Sequence, residues 1–100
     1  MRARWFLLGL SVTALARAAD VPADPSDYQA ALSTLGPGDK LVLAGGDYNG
    51  GMNLFDMNGA DGSPIVIAGP SSGSPARFLG QSGKNTIDIR NSSYVVIQNL

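Results

Sequence analysis

The chain has 100 residues, of which 44% are hydrophobic and 15% are charged, and it contains neither His nor Cys. The lack of Cys excludes a disulfide-braced fold, and the lack of His removes the commonest general base and zinc ligand. All eight acidic residues are Asp, and the formal net charge is −1. Because phosphate contacts need clustered Lys and Arg, nucleic acid and anionic membranes are poor partners for this chain.

The first nineteen residues predict a signal peptide. Arg2 and Arg4 form a positive start, Trp5 to Leu15 is apolar, and Ala16-Arg17-Ala18 is a small-x-small cleavage site. Cleavage after Ala18 or Ala19 fits this pattern. A membrane anchor is the alternative, but about 11 apolar residues fall short of the roughly 20 that a spanning helix needs.

Export therefore places the mature chain outside the cell, or in the periplasm of a bacterium. Removal of the three leader arginines leaves four basic and eight acidic side chains, a net charge of −4. The domain prediction is a signal peptide over 1–19 and a single structural unit over 20–100. We expect no membrane span in the mature chain.

One segment after the leader has the pattern of a short helix. Asp24 suits the N-cap, Pro25 the first helical position and Asp27 the first turn, and Gly36-Pro37 ends the pattern. The apolar side chains that share one helical face are Tyr28, Ala31, Leu32 and Leu35. We expect this helix to cover the open end of a sheet or coil.

Short alternating strands separated by Gly-, Pro-, Ser- and Asn-rich turns make up the rest of the chain. The predicted strands are Leu41–Ala44, Met52–Met57, Ile65–Ala68, Arg77–Leu79, Thr86–Arg90 and Tyr94–Leu100. Gly45-Gly46-Asp47 is predicted to be a turn. The inward residues predicted from the alternation are Leu41, Leu43, Ile65, Ile67, Ile87, Ile89, Val95 and Ile97, with Asp88 and Arg90 facing outward.

The spacing of the strands leaves the repeat open. Leu41 to Ile65 is 24 residues and Ile65 to Ile87 is 22, which suits a coil of stacked parallel strands. In a second register, three strands make one rung and Ile65 stacks under Val95, 30 residues later. An antiparallel sandwich is the main structural alternative, because strands at this spacing also describe it.

Several of these residues carry a family resemblance. Pro37-Gly38-Asp39, Gly46-Asp47-Tyr48, Pro64-Ile65-Val66-Ile67 and the segment 94–100 resemble the opening rungs of secreted right-handed parallel β-helix proteins. They are most similar to the chondroitinase B and alginate lyase group, which has the pectin-lyase-like fold. The resemblance implies an all-β fold: a right-handed parallel β-helix, first rungs only, with a short N-terminal capping α-helix.

The same resemblance implies a polysaccharide partner and β-elimination on uronic-acid polysaccharides, with calcium as a cofactor of the full-length protein. In that group the catalytic Lys and Arg and the calcium ligands come from later rungs, and no position here matches them. We therefore expect the chain to be the front end of a longer, lyase-like protein, truncated at its C-terminus, with the active site beyond residue 100. The alternative is a non-catalytic β-helix that binds glycans or builds a surface structure.

The residues themselves predict no catalytic, cofactor or metal site. The basic side chains Lys40, Arg77, Lys84 and Arg90 fit solvated surface charges better than catalytic groups. The carboxylates of Asp56, Asp61 and Asp88 lack the spacing of a calcium loop, and Asp47 is predicted to shape its turn.

Two asparagines remain as minor signals. Asn91-Ser92-Ser93 is an N-glycosylation acceptor in a host that glycosylates, and Asn99 suits a rung corner where asparagine side chains stack.

Overall fold

The computed structural model describes residues 19–100. The predicted signal peptide, including the cleavage-site residue Ala18, lies outside the described residues, except for Ala19. The backbone carbonyl of Ala19 accepts a hydrogen bond of 2.8 Å from the Lys40 amide. Cleavage after Ala18 would leave this hydrogen bond in place, whereas cleavage after Ala19 would remove it.

The described part of the chain is mostly β, with one short helix and parallel strands in small sheets. Its elements in chain order are β1 (Asp20–Ala23), α1 (Tyr28–Leu32), β2 (Lys40–Leu43), β3 (Gly46–Tyr48), β4 (Met52–Phe55), β5 (Ile65–Ala68), β6 (Ala76–Phe78), β7 (Ile87–Arg90) and β8 (Val95–Gln98).

The chain passes through three sheets in a fixed order. The first sheet has the strand order β1-β2-β5-β8, the second pairs β3 with β6, and the third pairs β4 with β7. All of these pairs are parallel. We call one passage through the three sheets a circuit: β2, β3 and β4 form one circuit, β5, β6 and β7 the next, and β8 begins a third.

The strand pairs resolve the alternatives that the spacing left open. Ile65 is paired with Val95, so three strands make up one circuit. Ile87 is paired with Met52 and does not stack on Ile65, so the register with 22- and 24-residue intervals is wrong. The described strands do not form the antiparallel sandwich, since all their pairs are parallel.

The inner faces of the three sheets make one hydrophobic core. Its largest fully buried side chains are Tyr48, Leu41, Leu43, Met52, Leu54, Ile65 and Ile67. The predicted inward positions are therefore confirmed in β2 and β5. Val95 and Ile97 in β8 are only partly buried, because β8 is the edge strand of its sheet.

Ile89 departs from the prediction that it is a core residue. It is paired with buried Leu54, and paired residues of parallel strands point to the same face. Nevertheless its side chain is 52% exposed. The reason is that β7 has β4 on one side only, and no strand of residues 19–100 covers its other side.

The helix is shorter than its predicted cap implies. It begins at Tyr28, and Asp27 occupies the N-cap position without a side-chain capping bond. The carboxylate of Asp24 instead accepts hydrogen bonds from the backbone amide and hydroxyl of Ser26, at 2.8 and 2.6 Å. Asp24 thus makes the side-chain bond expected of an N-cap, and its own amide donates to the Asp27 carboxylate at 2.8 Å, in the turn that precedes the helix. The apolar face is confirmed, since Tyr28 and Leu32 are buried.

Sequence reasoning missed two strands. β1 contains Pro22, which lacks an amide donor, and β1 lies at the edge of its sheet, where proline is tolerated. β3 contains Gly46 and Asp47, which were predicted to turn the chain but are paired with Ala76 and Arg77. In both cases pairing with a distant strand outweighs weak local β-propensity.

Close backbone approach at the corners between sheets requires glycine. The Gly69 amide donates a 3.0 Å hydrogen bond to the carbonyl of Gln98 in the next circuit. A Cβ on Gly69 would collide with the carbonyl oxygen of Asn99, and one on Gly59 with that of Tyr94. Both glycines thereby let successive circuits stack at hydrogen-bonding distance.

Replacing Gly69 by Ala should therefore separate two circuits and lower the free energy of unfolding by about 1 to 3 kcal/mol. Gly36→Ala is the matched control, because a Cβ there meets nothing closer than an Asp39 carboxylate oxygen at 3.9 Å. Denaturant titration of both variants measures the difference. Equal stability of the two variants would contradict the close packing of the corner.

Candidate functional site

The outward face of β4 and β7 has the most varied side-chain chemistry of the described sheets. In β4 the buried side chains alternate with Asn53 and Phe55, which point outward. The parallel register places Asp88 beside Asn53 and Arg90 beside Phe55. We call these four residues the outer β4–β7 surface.

Arg90 ties this surface together. Its Nε and Nη2 donate to the two carboxylate oxygens of Asp88, at 3.1 and 2.9 Å. The guanidinium carbon lies 5.0 Å from the centroid of the Phe55 ring, in a cation–π arrangement. The hydrogen bond to Asp88 also raises the pKa of Arg90. Arg90 is therefore paired with Asp88 and in contact with the Phe55 ring.

A chain of side-chain bonds links the corner that follows β4 to the corner that follows β7. Asp56 and Asn91 occupy equivalent places in successive circuits, and both have left-handed backbone angles, with φ of 58° and 48°. The Asn91 amide nitrogen donates to the Asp56 carboxylate. Ser92 Oγ accepts from the Met57 amide at 3.0 Å.

This corner bears on two predictions from the sequence. The amide of Asn91, the predicted glycosylation acceptor, is exposed but engaged by Asp56. A side-chain contact of the kind expected at Asn99 occurs between Asp56 and Asn91. Asn99 itself has a left-handed backbone with φ of 58° and an exposed side chain.

A groove of about 380 Å³ runs between α1 and β4. Leu32 and Met57 contribute apolar lining, while Gln29, Ser33 and Asn53 contribute neutral hydrogen-bonding groups. Phe55 and Asp56 line the β4 side. The Asp56 carboxylate is the one charged group among the described residues that line the groove.

An aromatic cluster holds α1 in position as one wall of this groove. The ring of Tyr28 in α1 meets the rings of Tyr48 and Phe78 edge to face, with centroids 5.0 and 5.7 Å apart. The Tyr28 hydroxyl donates to the carbonyl of Gly51 at 2.7 Å, and that of Tyr48 to Ala44 at 2.6 Å. α1 is thus fixed to strands of two successive circuits.

The four basic residues of the described part of the chain do not lie together in one site. Lys40 lies in β2, Arg77 in β6 and Arg90 in β7, and each of these strands belongs to a different sheet. Lys84 is exposed in the loop between β6 and β7. This distribution offers no base and cation side by side within residues 19–100.

Asp47 does not shape a turn, contrary to the prediction. It lies within β3 and accepts a 2.9 Å hydrogen bond from Nε of Arg77 in β6. This bond lowers the pKa of the Asp47 carboxyl group. Because the side chains of Arg77 and Asp47 are 61% and 45% exposed, the pair adds little to stability.

The calcium site implied by the resemblance finds no ligand set here. Within residues 19–100, no three side chains of the His, Cys, Asp or Glu types lie together so as to hold a metal ion. Asp88 is bound by Arg90, and Asp56 by Asn91.

Comparison with protein-family models, with curated proteins and with solved structures finds no match for this chain. The resemblance to the chondroitinase B and alginate lyase group therefore rests on its sequence motifs alone. Among residues 19–100, no helix is long and apolar enough to cross a membrane.

Tyr48 gives the aromatic cluster a testable pH dependence. Burial, and then the negative charges of Asp24 and Asp27, raise the pKa of the Tyr48 hydroxyl. An unfolded tyrosine titrates near pH 10, so the stability that folding gains by keeping the Tyr48 hydroxyl protonated is fully present below about pH 10. It is lost as the pH rises through the higher folded value.

Tyr48→Phe should lower the free energy of unfolding by about 1 kcal/mol at pH 7, because the hydrogen bond to Ala44 is lost. The gap between wild type and variant should shrink above pH 10, since phenylalanine cannot ionise. Denaturant unfolding at pH 7 and pH 11 measures both effects. Tyr94→Phe, at an exposed tyrosine outside the cluster, serves as the control, and a gap that widens at pH 11 would refute the assignment.

Proposed function

We propose that this chain forms circuits of a right-handed parallel β-helix, closed at one end by α1, in an exported protein that binds polysaccharide. The observation that supports the proposal best is the order of the strands. The chain passes through the three parallel sheets in the same order in each circuit, and every strand of the second circuit is paired with its counterpart in the first.

Stacked parallel strands offer an extended polymer a regular surface. Neighbouring strands lie about 4.8 Å apart, so outward side chains of successive circuits form rows along the coil. On the outer β4–β7 surface such rows combine an amide, a carboxylate, a guanidinium group and an aromatic ring. These groups suit a ligand that has many hydroxyl groups and apolar ring faces. The resemblance supports uronic-acid polysaccharides as the class of polymer.

Polysaccharide lyase activity is the second candidate, which the resemblance favours. β-Elimination needs a base near the proton beside the uronate carboxylate and a cation to neutralise the charge that develops. Arg77 and Arg90 are occupied by Asp47 and Asp88, and the remaining basic residues lie apart. Elimination would therefore depend on residues other than 19–100, whereas binding can use the surface that this part provides.

Affinity electrophoresis of the exported protein tests the proposal. We expect slower migration in gels that contain alginate, chondroitin or pectin than in a gel without polymer, with at least one of the three polymers retarding the protein. Normal migration in all three would contradict polysaccharide binding. The absorbance of unsaturated products, followed in the same mixtures, reports on the lyase candidate. Detection of the protein only in the cytoplasmic fraction would contradict export.

A further inference from the structure

We infer that the groove between α1 and β4 is a subsite for an uncharged sugar unit, an inference that rests on the proposed binding of polysaccharide. The inference is supported by the groups that line this one groove: an exposed aromatic ring, three neutral hydrogen-bonding side chains and a single carboxylate, those of Phe55, Gln29, Ser33, Asn53 and Asp56. Its volume of about 380 Å³ lies within the range of about 300 to 1,000 Å³ that is usual for small-molecule sites.

The walls of the groove complement a sugar ring. Phe55 is 42% exposed, and the Arg90 guanidinium lies over one face of its ring, so the rest of the ring offers an apolar surface. The Asn53 amide can donate and accept hydrogen bonds, and the Gln29 amide keeps its carbonyl oxygen and one N–H beside its bond to the Tyr28 hydroxyl. The Ser33 hydroxyl donates to the Ala30 carbonyl and can accept a hydrogen bond from a ligand. A sugar ring has both an apolar C–H face and a rim of hydroxyl groups. The C–H face can pack on the Phe55 ring while the hydroxyl groups bond to the polar side chains.

The charge of the groove selects against acidic sugars. Asp56 is its one charged lining residue within the described part of the chain. The guanidinium of Arg90, which lies over the Phe55 ring, is already paired with Asp88. A uronate carboxylate in the groove would therefore face Asp56 without a compensating cation, and like charges at short range repel. A methyl-esterified uronic acid, or a neutral sugar, avoids this repulsion.

Two forms of one polymer test the charge preference. We expect the whole protein to bind highly methyl-esterified pectin more tightly than the same pectin after saponification, by isothermal titration at low salt. The difference should narrow at 1 M salt, where the Debye length falls to about 3 Å. Equal or tighter binding of saponified pectin at low salt would overturn the preference for uncharged sugars.

Two variants locate the subsite. Phe55→Ala should weaken binding of esterified pectin by about fivefold or more, as for a residue at the centre of a binding site. Leu79→Ala, at a similarly exposed apolar residue outside the groove, is the control and should bind as wild type does. Asp56→Asn should raise the affinity for saponified pectin more than that for esterified pectin, and so narrow the difference between the two forms. Asparagine tolerates the left-handed backbone of this position, so the corner should be preserved.

The possible outcomes separate the groove from the proposed function. Wild-type binding of pectin that persists in folded Phe55→Ala, together with unchanged selectivity in Asp56→Asn, would overturn the subsite while polysaccharide binding stands. Failure of the wild-type protein to bind any of the three polysaccharides would overturn the proposed function itself. Far-UV circular dichroism verifies that each variant is folded.

Discussion

Parallel pairing between successive circuits is the interaction on which the rest of this structure depends. No strand in residues 20–98 finds its partner among its immediate neighbours in the chain, except that β2 follows β1 after the helix. A strand one circuit away therefore both pairs with the backbone of each strand and helps to bury its inner apolar face. The pairing of Ile65 with Val95 and of Met52 with Ile87 sets both the core and the outward rows.

The helix α1 links this pairing to the proposed binding site. α1 lies against β1 and β2, and its Tyr28 packs on rings from β3 and β6. The same placement leaves a groove on the side of the helix that faces β4. The packing of α1 on the core and the shape of the groove are thus two consequences of one set of aromatic contacts.

Local sequence patterns were sufficient to predict the strands that have strong alternation and the apolar face of the helix. They could not choose the register, because the runs at Ile65, Ile87 and Val95 all have apolar residues at alternate positions, and the choice is made by pairing across about 30 residues. They also missed β1 and β3, in which Pro22 and Gly46 have low strand propensity and the partner strand decides the conformation.

The candidate site was less predictable than the fold. Nothing in the spacing of Phe55, Asp56, Asp88 and Arg90 indicates that they meet, since the two pairs lie more than 30 residues apart and are joined only by the β4–β7 pairing. The ladder between Asp56 and Asn91 depends on the same register. The one usable signal was the Asp88-x-Arg90 alternation, which correctly placed both charges on the outward face.

Inter-strand nuclear Overhauser effects provide the most direct test of the circuit register. If three strands make up a circuit, backbone protons of Ile65–Ala68 should show contacts with those of Val95–Gln98, with Val66 opposite Val96. Contacts from Ile65–Ala68 to Ile87–Arg90 in their place would mean that the circuits are shorter, and would contradict the core, the outer β4–β7 surface and the groove together.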